Sequence, residues 1–111
     1  MKQKLFFPCA CGSNAGMLTY EISKKLKESG FSDMESVAKL SVEIGATVNN
    51  AKISESIALD GCKVCCAKKA LESKGVNPKS IVLTDLGVIK GKTPVSQEVL
   101  ENLIKRIKEN L

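Results

Sequence analysis

The chain has 111 residues, 43% of them hydrophobic, and carries a formal net charge of +5 with no histidine. Without an imidazole, Ser–His and Cys–His catalytic arrangements and histidine metal ligands are excluded. The length predicts one domain spanning residues 1–111, large enough to bury a core without disulfide staples.

Lys4-Leu5-Phe6-Phe7 reads as a short buried strand closed by Pro8. The small-residue loop from Cys9 to Gly16 follows. A helix is expected from about Ala15 to Ser29, because Leu18, Ile22 and Leu26 recur on one face. Ser13 or Asn14 can cap its start and Gly30 can end it. Ser32-Asp33-Met34-Glu35 matches a capping box, yet Ala38, Leu40, Val42 and Ile44 alternate with polar residues. That alternation predicts a strand over Val37–Ile44. Gly45–Lys52 is then a short helical crossover. Ile53–Leu59 reads as a strand, Asp60-Gly61 as a turn, and Val64–Lys74 as a helix stopped by Gly75. Ser80–Thr84 is a compact strand that exits through Asp85-Leu86-Gly87. Ser96 opens a terminal helix with Leu100, Leu103, Ile104, Ile107 and Leu111 in one apolar stripe.

This alternation predicts an α/β, Rossmann-like three-layer sandwich with about four parallel strands in the order 2-1-3-4. In such sheets ligands bind beyond the carboxyl ends of the strands, at the switch in strand order. Cys9, Asp60-Gly61-Cys62 and Asp85-Leu86-Gly87 all follow strand ends, so they are expected to converge on one edge.

The seventeen basic residues include one arginine, Arg106. Nucleic-acid readers lean on arginine for bidentate contacts, and the lysines here are spread over outer helix faces. No nucleic-acid partner is expected. No apolar run approaches the roughly 20 residues of a membrane span, so no membrane partner is expected either. The apolar stretch near the start is too short for a secretory leader, whose apolar region runs about 7–15 residues, and Pro8 ends it. These features predict a cytoplasmic protein. In a reducing compartment, cysteines point to metal binding or thiol chemistry before structural disulfides.

The five cysteines fall in two turn segments: Cys9 and Cys11 in one, Cys62, Cys65 and Cys66 in the other. Thiolates are good zinc ligands, and Cys62-x-x-Cys65 and Cys62-x-x-x-Cys66 both have usable spacing. Asp60 or Asp85 can add an oxygen ligand or a supporting contact. An iron–sulfur cluster draws on the same donors. Thiols at a strand-to-helix turn also sit where helix amides favour a thiolate.

Cys9 followed by Ser13-Asn14-Ala15-Gly16, then Asp60-Gly61-Cys62-x-x-x-Cys66-Ala67-Lys68-Lys69, then Leu83-Thr84-Asp85-Leu86-Gly87, resembles the DGC-domain family. The likeness covers most of the chain. The role proposed for that family is zinc chelation by four cysteines, and Cys9, Cys62 and Cys66 match its pattern. The family commonly has a further cysteine in its second strand region, where this chain has none between Ser32 and Ile44. The resemblance therefore implies zinc held by Cys9, Cys62 and Cys66, with Cys11 or Cys65 as fourth ligand or with one position open.

Competing readings remain. Cys62-Lys63-Val64-Cys65 has the dithiol redox spacing, though the residues around it are not those of thioredoxins. Cys9 in a small-residue loop resembles the nucleophile loop of cysteine phosphoryl carriers and small phosphatases. The phosphatase arginine is missing, because Ala15 stands six residues after Cys9. Free cysteines also serve as small buried hydrophobes. Neither enzymatic activity nor a particular small-molecule or protein partner follows from the residues.

Overall fold

A computed structural model describes residues 3–42 and 45–111. Among these, four strands form one all-parallel sheet in the order β2-β1-β3-β4. β1 is Lys4–Pro8, β2 Asp33–Met34, β3 Glu55–Asp60 and β4 Lys79–Val82. The helices are α1 (Asn14–Glu28), α2 (Val37–Ser41), α3 (Gly45–Ile53), α4 (Cys66–Ser73) and α5 (Gln97–Glu109), with a 3-10 turn at Leu83–Leu86. The expected fold class and strand order are both present.

The two central strands, β1 and β3, are buried on both faces, which is why they read as apolar runs. Phe6, Ile57, Leu59 and Ile81 face α1 and α5, where Leu18, Ile22, Leu26, Leu100, Leu103 and Ile107 complete one core. Leu5, Phe7 and Ala58 face the other way, toward Leu40, Ala51, Ala67 and Leu71 of α2, α3 and α4. The apolar stripe of α5 therefore covers the sheet. Ser13 caps α1 by accepting from the Gly16 N–H at 3.1 Å. Past Gly30, the Phe31 N–H returns to the Leu26 carbonyl at 3.0 Å and closes the helix.

The strand expected over Val37–Ile44 is not one. The second strand is Asp33–Met34, and Val37–Ser41 is helix α2; Glu43 and Ile44 lie outside the described residues. Ser36, not Ser32, caps α2, its hydroxyl accepting from the Ala38 N–H at 3.1 Å. Among the described residues, the alternation that suggested a strand has no buried face behind it. Leu40 is fully buried, but Val42 is 69% exposed and Ala38 lies at the surface. The crossover helix after it is present as α3.

Candidate functional site

β1 has β2 on one side and β3 on the other, so the order of strands reverses between β1 and β3. Cys9 follows β1, and Asp60-Gly61-Cys62 ends β3. The Cys9 N–H donates to the Leu59 carbonyl at 3.0 Å, which extends the β1–β3 ladder one residue beyond Pro8. Its Sγ then accepts from the Gly61 N–H at 3.4 Å. The first cysteine loop and the second meet at this sulfur.

Two glycines let both loops lie on the start of α1. A Cβ on Gly61 would come within 2.7 Å of the Ala15 carbonyl carbon. A Cβ on Gly16 would come within 2.6 Å of the Cys11 backbone nitrogen. Any side chain at either position would force backbone apart.

The thiols of the first loop have opposite environments. Cys9 is half-buried, with Thr19 Oγ1 at 3.6 Å. Thr19 donates its hydroxyl hydrogen to the Gly16 carbonyl at 2.6 Å and accepts from the Ala10 N–H at 3.0 Å. The thiol is therefore the donor toward Thr19. Burial pushes the Cys9 thiol up, against the pull of the Gly61 amide. Cys11 is exposed, with its Sγ 3.2 Å from Ser13 Oγ. The Ser13 hydroxyl, aided by the Ser13 amide and the charge of Lys90, holds Cys11 below the ordinary thiol range.

The second loop departs from the expected helix. α4 begins at Cys66, not Val64. Cys62 to Cys65 is a turn, closed by the Cys65 N–H to the Cys62 carbonyl at 3.2 Å, and Cys65 is left-handed with φ 57°. Cys62 and Cys65 are half-buried and Cys66 is exposed, so neither of the adjacent pair turns into the core.

Helix α4's amides do not favour a thiolate here, because Asp60 takes them. Its buried carboxylate accepts from the Ala67 N–H at 2.8 Å and the Lys68 N–H at 3.2 Å. Asp60 thus caps α4 from the end of β3. Burial raises its own pKa despite those two donors. Desolvation, and then the Asp60 charge, raise Cys65. With each oxygen engaged by a backbone amide, Asp60 supports the loop from behind.

The third strand exit does not join the cysteines through Asp85. That residue is exposed in the 3-10 turn and borders a separate hollow with Ser80 and Asn110. The chain beyond it does reach the first loop, through Asn14. Its amide nitrogen donates to the carbonyls of Ile89 at 3.1 Å and Thr93 at 2.8 Å, and its oxygen accepts from the Gly91 N–H at 2.6 Å. Asn14 was expected as an alternative cap, but Ser13 has that role and Asn14 clamps a loop. Thr19 was not among the expected site residues; its signal is a hydroxyl beside Leu18 on the buried face of α1.

Among the described residues, no three Cys, Asp or Glu side chains are disposed as they stand to hold a metal ion. The thiols occur as two neighbouring groups. Cys9 with Cys11, and Cys62 with Cys65, are joined through the Gly61–Cys9 contact. Cys66 begins the helix behind the second pair.

No helix among the described residues is long and apolar enough to cross a membrane. No curated protein and no solved structure matches the chain. The DGC domain family model matches residues 5–107, which takes in both cysteine loops, the sheet from Leu5 onward and most of α5. The chain therefore belongs to the DGC domain family, a cysteine-rich α/β domain.

Proposed function

We propose that the protein binds a metal ion, zinc, through cysteine thiolates at the C-terminal edge of its sheet. The ligands in this reading are Cys9, Cys62 and Cys66, with Cys11 or Cys65 as the fourth. The observation that supports it is the 3.4 Å contact from the Gly61 amide to Cys9 Sγ, which brings two cysteine loops distant in sequence against each other. The donor chemistry fits a thiophilic ion. All five cysteines are free thiols, and the chain has no histidine. Assembling four sulfurs about one ion takes rotation of side chains in these loops, and the exposed Cys11 and Cys66 have the room to move.

Zinc in such a site would be held as an ion without redox chemistry of its own, in a closed or three-ligand arrangement. An iron–sulfur cluster would draw on the same sulfurs. Free thiols persist in a reducing compartment, so the reading goes with a cytoplasmic location.

Native mass spectrometry with elemental analysis, on protein purified without chelator, tests the proposal. A stoichiometric metal that is lost on Cys62→Ser supports it and identifies the element. Protein that stays metal-free after incubation with zinc, with one rapidly alkylated thiol, would instead support thiol-disulfide or cysteine-nucleophile chemistry.

A further inference from the structure

Past the end of β2 the sheet edge opens. β2 is only two residues long, and its ladder with β1 stops where the Glu35 N–H donates to the Phe6 carbonyl at 2.9 Å. β1 runs on to Pro8. Backbone groups two residues apart in a strand face the same side, so Pro8 faces the gap as Phe6 faces β2. The position that would leave an N–H unpaired there is filled by the residue that has none. The chain leaves the sheet at Glu35 and enters α2. Between β1, α1 and this segment lies a cleft of about 400 Å³, lined by Pro8, Cys9, Ala10, Tyr20 and residues 34–39.

The lining specifies a ligand chemistry. Pro8, Ala10, Met34, Val37 and Ala38 are apolar, and Tyr20 adds a ring. The two charged residues cancel each other, with Lys39 Nζ 3.1 Å from Glu35 Oε1. Glu35 Oε1 also accepts from the Ser36 N–H at 3.0 Å, and the Ser36 oxygen accepts as the cap of α2 while its hydroxyl hydrogen stays free. The hydroxyl of Tyr20, a residue 43% exposed, has no hydrogen-bond partner among the described residues. A pocket of this kind favours an uncharged apolar body and offers the Tyr20 and Ser36 hydroxyls to orient it.

We infer that this cleft binds a small neutral organic molecule, ring-sized and apolar with one hydrogen-bonding group, and seats it beside the Cys9 sulfur. The inference does not rest on the metal reading. Of the lining residues only Cys9 is a proposed ligand, and the walls come from β1, α1 and residues 34–39.

Benzyl alcohol, benzoate and benzylamine share one ring and differ in charge, so amide NMR titrations with the three probe the cleft. Benzyl alcohol is expected to shift the amides of Cys9, Ala10 and residues 34–39 and to saturate at roughly 1–10 mM, as befits so small a ligand. The charged pair is expected to bind these amides at least about tenfold more weakly, for want of a counter-charge. Ala38→Trp, at a surface position of α2, fills the cleft and should abolish the shifts. Tyr20→Phe, which alters no packing, should weaken benzyl alcohol about threefold or more. Shifts that do not cluster on the cleft, equal binding of the three probes, or binding unchanged in both variants would overturn the proposal. Metal content is not part of the readout, so failure here leaves the zinc test untouched.

Discussion

The Gly61 amide donates to the Cys9 sulfur over 3.4 Å, and that contact ties the loop after β3 to the loop after β1. It exists because Gly61 lies against Ala15, where a Cβ would be 2.7 Å from a carbonyl carbon. The clashing atom is backbone and cannot rotate aside. Gly61→Ala is expected to destabilise the protein by about 1–3 kcal/mol in urea denaturation, the usual cost of overpacking. It should also weaken metal retention if the loops share an ion. Gly12→Ala is the control: nothing lies within 4 Å of its added Cβ, so its stability should stay within about 0.5 kcal/mol of the parent.

The two thiols of the first loop should react in a defined order. Cys11 is exposed and lowered by the Ser13 hydroxyl, while Cys9 is half-buried and raised by burial. The thiolate is the nucleophile, so in metal-free protein at neutral pH iodoacetamide should modify Cys11 well before Cys9. Ser13→Ala removes the hydroxyl at 3.2 Å. It should slow Cys11 several-fold and move its rate–pH profile toward ordinary thiol behaviour. Peptide mapping by mass spectrometry at timed quenches reads both effects. Faster labelling of Cys9 than of Cys11 would contradict the assignment.

Much of this arrangement was legible in the sequence because burial and periodicity coincide there. Leu18, Ile22 and Leu26 share a helix face and all reach the core. The alternation of strand and helix implied a parallel sheet, and a parallel sheet puts Cys9 and Gly61 at one edge. The segment Val37–Ile44 misled because period-two alternation is a sign of a strand only when one face is buried, and among its described residues Leu40 alone is. The start of α4 misled for a different reason. A turn from Cys62 to Cys65 delays the helix, and its cap is Asp60, too far back in sequence to look like one. The partners of Thr19 and Asn14 were not legible because each acts across a turn or loop whose path sequence alone does not give.

Asp60 gives a stability term with a defined sign. Asp60→Ala leaves the Ala67 and Lys68 amides without their acceptor and should cost about 1–3 kcal/mol. The pH dependence follows from the raised folded-state pKa. The carboxyl loses its proton more readily in the unfolded chain. Its contribution is therefore fully present below the ordinary aspartate range and falls as pH rises through the raised folded value. Asn keeps one acceptor oxygen and does not titrate. The stability of the parent relative to Asp60→Asn should accordingly decline across that window and level off above it. Urea midpoints collected from acid to neutral pH measure this, and a difference that grows with pH would show that the two amide donors outweigh burial.

Asn14 makes a prediction about local motion. Three hydrogen bonds from one side chain hold residues 89–93 against the start of α1, and they use both its donor and its acceptor ends. The segment's own contribution is slight, a bond from the Ile89 N–H to Thr93 Oγ1 at 2.7 Å and turn bonds from the Lys92 and Thr93 amides to the Ile89 carbonyl. Ile89 itself is 57% exposed, so packing does not anchor it. Asn14→Ala should cost about 1–3 kcal/mol globally and accelerate amide exchange at Gly91 far more than in the sheet. Asn14→Asp keeps the acceptor for Gly91 but loses both donors. It should protect Gly91 while loosening the carbonyl contacts at Ile89 and Thr93. Exchange at Gly91 unchanged in Asn14→Ala would mean that the loop is held by something other than this clamp.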